Sequence, residues 1–432
     1  MQTGVFLRGE LMRQKKTNQS ANPLWTRDFT ILTLGSVVSM LGNAMSGFAL
    51  SLMVLDISGS TLLFALYISM YTLPQIVMPV FSGAILDRFS RKKTIYTLDF
   101  ISAGLYLLMA IILFIGWFSF PLFLIYCFIL GSIESIYMVA YESFYPLLIS
   151  EGNYQKAYSI ASVLETFSAV MIPISTFLYN RIGMAPLLFV NSICFAVAAI
   201  METQIRKDEQ YIESQKLTAS KDLGHIRQMF KDTKEGFQYL YSEKGLLAIA
   251  VYFGFSSFAM GVSSVITLPY FKSTFANGEY IYMLVWGSAL VARAIGGGLH
   301  YKLKIPAHLR YGIALAVYIL ISLFEAFYLF LPIPFMMILC FLNGLGGVTS
   351  YTIRISATQS YVPDEKKGRF NGVFGMINTI GALGGELIAG LLTLFMPERL
   401  VLMSALLLCA VSAVVVIGGG RKSVSAIYNR QQ

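Results

Sequence analysis

The feature that most constrains this chain is a series of apolar runs, each about 20 residues long, that recur from Phe29 to Ile417 with short polar gaps between them. At 1.5 Å rise per residue, a helix of that length crosses the hydrocarbon core of a bilayer. No water reaches backbone N–H and C=O groups there, so only helices and closed barrels are viable. The runs are too long and too continuously apolar for the alternating strands of a membrane barrel. The expectation is an all-α polytopic membrane protein. With 56% hydrophobic and 13% charged residues, the 432-residue chain exceeds the apolar content of soluble domains, which is roughly 45–50%.

Twelve spans are predicted, at 29–55, 61–86, 94–116, 119–149, 156–180, 186–205, 244–271, 279–302, 307–330, 333–361, 369–395 and 399–418. They divide the chain into an amino-terminal segment (1–28), a six-helix bundle (29–205), a polar linker (206–243), a second six-helix bundle (244–418) and a tail (419–432). The first run has no small-residue cleavage site after it and reads as a retained helix rather than a signal peptide. In the linker, Leu223, Ile226, Phe230, Phe237 and Leu240 recur at helical spacing among charges, the pattern of an amphipathic helix on the inner membrane surface.

Basic residues orient the bundle, because positive loops stay in the cytoplasm. With the amino terminus inside, 27 of the 32 Lys and Arg fall on the inner side, and only Arg181, Lys272 and Arg399 fall outside. Both termini are therefore expected in the cytoplasm of a multi-pass protein of the plasma (inner) membrane. The net charge of +9 is explained by topology, and nucleic acid is not an expected partner. The expected partners are the lipid bilayer, a small-molecule substrate and protons, with the chain working as a monomer. Cys127, Cys194, Cys340 and Cys409 lie far apart in apolar runs, and His225, His300 and His308 read as residues of polar connections. No metal site and no cofactor is expected.

An offset of 213 residues carries Cys127-Phe128 onto Cys340-Phe341, Gly131 onto Gly344 and Gly83 onto Gly296, which points to duplicated, pseudo-symmetric halves. Between spans 2 and 3 the chain reads Gly83-Ala-Ile-Leu-Asp87-Arg88-Phe-Ser-Arg91-Lys92-Lys93. This G-x-x-x-D-R-x-x-R-K-K sequence resembles the loop motif of the major facilitator superfamily, in the short form of its drug-efflux and macrolide-efflux-like branch. The resemblance implies a state latch built from Gly83, Asp87, Arg88, Arg91 and Lys92, with Asp87 reaching the start of span 11 near Gly368 and Arg369. Two departures stand out. Cys127 occupies the place of an arginine that often precedes the span-4 glycine, and span 5 reads Ser168-Ala-Val-Met-Ile-Pro173 in place of a glycine-proline signature.

Ionisable residues within spans are costly and each is a functional candidate. Glu134 heads a helical face with Met138, Tyr141 and Tyr145, a stripe that could line a cavity. Glu134 and Glu165 are the proton-coupling candidates; the alternative for each is a polar residue hydrogen-bonded between helices. Glu142 and Arg354 lie at similar depths in spans 4 and 10 and are candidate partners of a cytoplasmic gate. Arg293 is a cavity candidate that could face an anion, with Glu134 or Glu165 as its suspected partner. Asp99 reads as an ion-pair partner of Arg88 and Arg91, and Glu325 and Glu386 as residues reaching water at outer helix ends. Gly381 and Gly385 form a G-x-x-x-G packing face.

The leading expectation is a secondary transporter that exports amphiphilic, drug-like compounds, cationic or macrolide-like ones among them, against inward proton flow by alternating access. The 14% aromatic content and 20 methionines would suit an adaptable apolar cavity. Proton-coupled uptake of a small nutrient and a non-transporting receptor or scaffold are the alternatives. No nucleophile elbow or P-loop is present in the sequence, so an enzyme is not expected.

Overall fold

A computed structural model describes residues 23–78, 90–150, 153–207, 209, 222–302 and 305–430, and among them it is helical with no strand. The helices are α1 (Arg27–Ser58), α2 (Thr61–Thr72), α3 (Arg91–Phe114), α4 (Phe120–Leu148), α5 (Tyr154–Ile182), α6 (Met184–Thr203), α7 (Asp222–Ser242), α8 (Lys244–Thr274), α9 (Gly278–Lys302), α10 (Arg310–Phe327), α11 (Ile333–Tyr361), α12 (Asp364–Leu392), α13 (Glu398–Ser412) and α14 (Arg421–Tyr428).

Among the described residues, eleven helices are long and apolar enough to cross a membrane. The remaining predicted span is α5, as long as its neighbours but less apolar, since it carries Lys156, Glu165, Asn180 and Arg181. Local chemistry sets the ends. The Ser90 hydroxyl caps α3 by accepting from the Lys93 N–H at 3.1 Å. Pro332, Pro363 and Pro397 stand at the N-caps of α11, α12 and α13. Pro363 is why α12 starts at Asp364, ahead of the predicted 369. Gly183, at φ 77°, makes the tight break between α5 and α6.

The described residues form two compact units, one drawn from 1–48, 85–117 and 136–219, the other from 49–84, 118–135 and 220–432. In the first, Asn191 of α6 is fully buried and donates to the Ser46 hydroxyl of α1 at 2.7 Å, while Ser192 donates to the Ala103 carbonyl of α3 at 2.7 Å. Such hydrogen bonds join helices in lipid, where apolar surface alone gives little drive to associate. Phe29, Ile95, Phe144 and Tyr145 belong to a buried apolar cluster of this unit.

In the second unit, glycines bring backbones together. A Cβ on Gly381 or Gly385 of α12 would run into the Gly254 or Phe258 carbonyl of α8, so the G-x-x-x-G face packs there. The predicted repeat appears as geometry. Gly131 lets α4 close onto the Tyr71 carbonyl of α2, and its counterpart Gly344 lets α11 close onto the Ala289 carbonyl of α9.

Two further segments extend the sequence reading. Within α7, Leu240 is buried in the core of the second unit, and Gly236 abuts the Arg369 carbonyl and Val373 of α12. Segment 419–432, read as a tail, contains α14, whose Val424, Ile427 and Tyr428 are buried. The Tyr428 and Tyr318 hydroxyls share a hydrogen bond of 2.8 Å.

Candidate functional site

The second unit places acidic side chains around α2. This helix starts at Ser60, whose hydroxyl accepts from the Leu63 N–H, just after Gly59 at φ 56°. Two helices reach it through glycines. On one side Gly131 of α4 meets the Tyr71 backbone; on the other, a Cβ at Gly390 of α12 would lie 2.5 Å from the Ala65 Cβ and 3.2 Å from Leu62 Cδ1. Each contact glycine has a carboxyl on its own helical face, because positions three and four apart coincide. Glu134 follows Gly131 by three residues, and Glu386 precedes Gly390 by four.

Both carboxyls bond to α2. The Tyr71 hydroxyl donates to Glu134 Oε2. Ser69 and Thr72 donate to the two oxygens of Glu386 at 3.4 and 3.5 Å. Those distances are long for O–H···O bonds, whose usual range is about 2.5–3.0 Å. Glu386 is only 5% exposed, so the expectation that it reaches water is corrected: the approach of α2 at Gly390 covers it. Sequence reasoning named Glu134 and Glu165 as the proton-coupling candidates and did not anticipate that Glu386 is buried against α2. The usable signal was Glu386-x-x-x-Gly390, an acid one turn from a packing glycine.

Beyond Gly390 the same seam ends in polar contacts. Lys272 of α8 pairs with Asp56 at 2.5 Å and also donates to the Leu52 carbonyl at 3.3 Å. Thr61 donates to Glu398 at the start of α13. Gly59, Ser60, Tyr270, Thr274, Glu398 and Arg399 line a cleft of about 590 Å³ there.

The other predicted residues are distributed as follows. In the first unit Met138 is exposed, Tyr141 is half-buried and stacks on Tyr137 and Tyr145, and Tyr145 is buried with its hydroxyl donated to the Ala157 carbonyl at 2.9 Å. Tyr145 is thus a packing residue and not a cavity wall, because its helical face turns into the core there. Glu142 is exposed in the first unit, and Arg354 belongs to the second. Arg293 is exposed on α9, within range of the Glu325 carboxyl; its suspected partner Glu165 lies outside the described side chains. Glu325 accepts from Ser263 at 3.0 Å and from Asn343 at 3.3 Å, tying α10 to α8 and α11. His300, read as part of a connection, sits in α9 and bonds to the Thr349 hydroxyl at 2.8 Å.

Of the loop motif, Gly83, Asp87 and Arg88 lie outside the described residues, as does the Glu165 side chain. Arg91 donates to the Ser143 carbonyl at 3.0 Å, and Lys92 to the Ile205 carbonyl at 3.2 Å. Arg369, at the start of α12, pairs with Glu235 of α7 at 2.8 Å. Asp99 does not pair with Arg91. It is 1% exposed and lies close to the carboxyl of Glu202, which is fully buried on α6 against Gly35 of α1. Glu202 was overlooked because it stands next to the polar end of α6.

Comparison with known proteins follows this architecture. The chain is 25% identical over 296 residues to the uncharacterized MFS-type transporter YkuC of Bacillus subtilis, covering 65% of this chain and 68% of that protein. It is 22% identical over 277 residues to macrolide efflux protein A of Streptococcus pyogenes, covering 64% of this chain and 66% of the relative. The matched region thus spans about two thirds of each relative. Among solved structures, the nucleoside transporter NupG shares the fold with a TM-score of 0.62 at 12% identity, over 92% of this chain and 99% of NupG. Residues 32–386 match the family described as Major Facilitator Superfamily, and with most of its length inside that match the chain belongs to this superfamily of transporters.

Proposed function

We propose that the protein is a proton-coupled exporter of amphiphilic, drug-like or macrolide-like compounds, working by alternating access between the six-helix bundles 29–205 and 244–418, with 206–243 linking them. The observation that carries this reading is Glu386. It is a buried carboxyl on the second repeat, held by two long hydroxyl contacts from α2 on the first. As a carboxylate, Glu386 attracts the Ser69 and Thr72 hydroxyls; protonation removes that charge and weakens their hold. A proton arriving at Glu386 therefore changes how firmly α2 and α12 stay together, which is what coupling requires. Glu134, bonded to the other side of α2, is the second acid of this reading, and Glu165 is the third.

Export is favoured by the resemblance to macrolide efflux protein A, and the short loop motif agrees with it. In this reading the protein is a monomer of the plasma membrane with both termini cytoplasmic. Asp87 latches the inner side, and Glu142 approaches Arg354 when the inner gate closes.

The test is a panel of amphiphilic compounds presented to inverted vesicles with an imposed pH gradient. The wild type should accumulate its substrate and dissipate the gradient. Glu386→Gln, which mimics the protonated acid, should keep substrate exchange but lose gradient-driven accumulation. Accumulation that ignores an uncoupler overturns proton coupling. An unaltered Glu386→Gln moves the proton site to Glu134 or Glu165, each tested by its own Gln variant.

A further inference from the structure

Arg354 of α11 is a guanidinium inside a spanning helix, and among the described residues no acid pairs with it. It lies seven residues before the end of α11, about 10 Å along the axis at 1.5 Å per residue. Its contacts are aromatic: the guanidinium carbon is 4.7 Å from the Phe253 ring of α8, 5.0 Å from the Phe374 ring of α12 and 5.6 Å from Tyr351. Four described acids on the surrounding helices are engaged elsewhere. Glu235 pairs with Arg369, Glu243 accepts from Tyr361, Glu325 from Ser263 and Asn343, and Glu386 from Ser69 and Thr72.

Aromatic faces attract the cation but give its N–H groups no oxygen to bond to. Nε is buried with no hydrogen-bond partner, whereas the side chain as a whole remains partly exposed and Tyr351 beside it is 58% exposed. A charge placed this deep in a membrane protein ordinarily has a counter-ion or lines a route for one. The rings hold the guanidinium in place and leave its planar fork free, the geometry that suits a carboxylate, sulfonate or phosphate.

We infer that Arg354, with Phe253, Phe374 and Tyr351, forms a binding subsite for an amphiphilic organic anion, an acidic group on an apolar or aromatic body. The acid meets the guanidinium fork and the body lies along the rings. This rests on the transport reading and sharpens its substrate class toward anions. The same chemistry could come from an anionic lipid or from a soluble compound.

The experiment uses the full chain in nanodiscs of zwitterionic lipid and calorimetric titration with matched naphthyl probes: 2-naphthoate, naphthalene-2-sulfonate, 2-naphthylmethylammonium and 2-naphthylmethanol, with empty nanodiscs subtracted. Wild type should bind the two anions roughly 10-fold or more tighter than the cation and the alcohol, the scale of a hydrogen bond to a charged group. Arg354→Gln should erase that preference. Equal affinity for all four probes, or a preference that survives Arg354→Gln, overturns the assignment. Should Arg354→Gln fail to fold, Arg354→Lys decides: anion affinity weakened several-fold supports the subsite, and unaltered affinity overturns it. Repeating the titration with anionic phosphatidylglycerol in the disc separates the sources, since lipid occupancy would weaken both anions competitively. Flux of the probes in proteoliposomes distinguishes the two readings. Anion-selective binding without flux keeps the subsite and sinks transport, while flux without charge preference does the reverse.

Discussion

The Gly390 contact makes a quantitative test of the seam. Replacing Gly390 by Ala would place a methyl 2.5 Å from the Ala65 Cβ and 3.2 Å from Leu62 Cδ1. Carbon atoms pack at about 3.5–4.0 Å, so α2 and α12 must part by about 1 Å. Overpacking of that kind costs roughly 1–3 kcal/mol, and it acts only while the two helices are closed on each other. At 1.4 kcal/mol per factor of ten, the open population should rise roughly 5-fold to 150-fold. The readout is Ile68→Cys on α2, a half-buried position packed against the core of the second unit, introduced into a variant lacking the four native cysteines. Its labelling rate by a membrane-impermeant maleimide should rise by that factor when Gly390→Ala is added. Gly385→Ala is the control. Its methyl would strike the Phe258 carbonyl of α8, so it should lower thermal stability without raising labelling at position 68. Equal labelling in both variants, or a rise with Gly385→Ala alone, would refute the argument that Gly390 sets the closure of α2 on α12.

Two more outcomes follow from buried polar contacts. Glu202→Gln fills the same volume and puts a donor beside Asp99, so it should change the melting temperature little, whereas Glu202→Ala leaves a cavity beside Asp99 and should cost about 2–4 kcal/mol, read by thermal unfolding in detergent. Tyr428→Phe removes only the hydroxyl shared with Tyr318 and should cost about 1 kcal/mol; Tyr428→Ala should cost about 3–5 kcal/mol because the ring is fully buried, measured by the same unfolding assay.

Sequence alone was sufficient for what depends on local chemistry and on the solvent. Runs of about 20 apolar residues must be helices in a bilayer, so the spans were legible and most of their described ends agree to within a few residues, the end of predicted span 61–86 lying outside the described residues. Proline and glycine marked the breaks, as at Pro363 and Gly183. The 213-residue offset foretold that Gly131 and Gly344 occupy equivalent crossings, since a glycine in a spanning helix is chiefly a place for another backbone to approach. Tertiary structure decided which charge meets which. Glu386 lost its water because α2 closes over it, Asp99 came to lie beside Glu202, and Tyr145 turned into the core. Arg354 lies among rings contributed by α8, α11 and α12. One-dimensional depth fixes how far along its helix a side chain sits, but not its rotation about the axis or the neighbour it faces. Those are set by packing between helices distant in sequence.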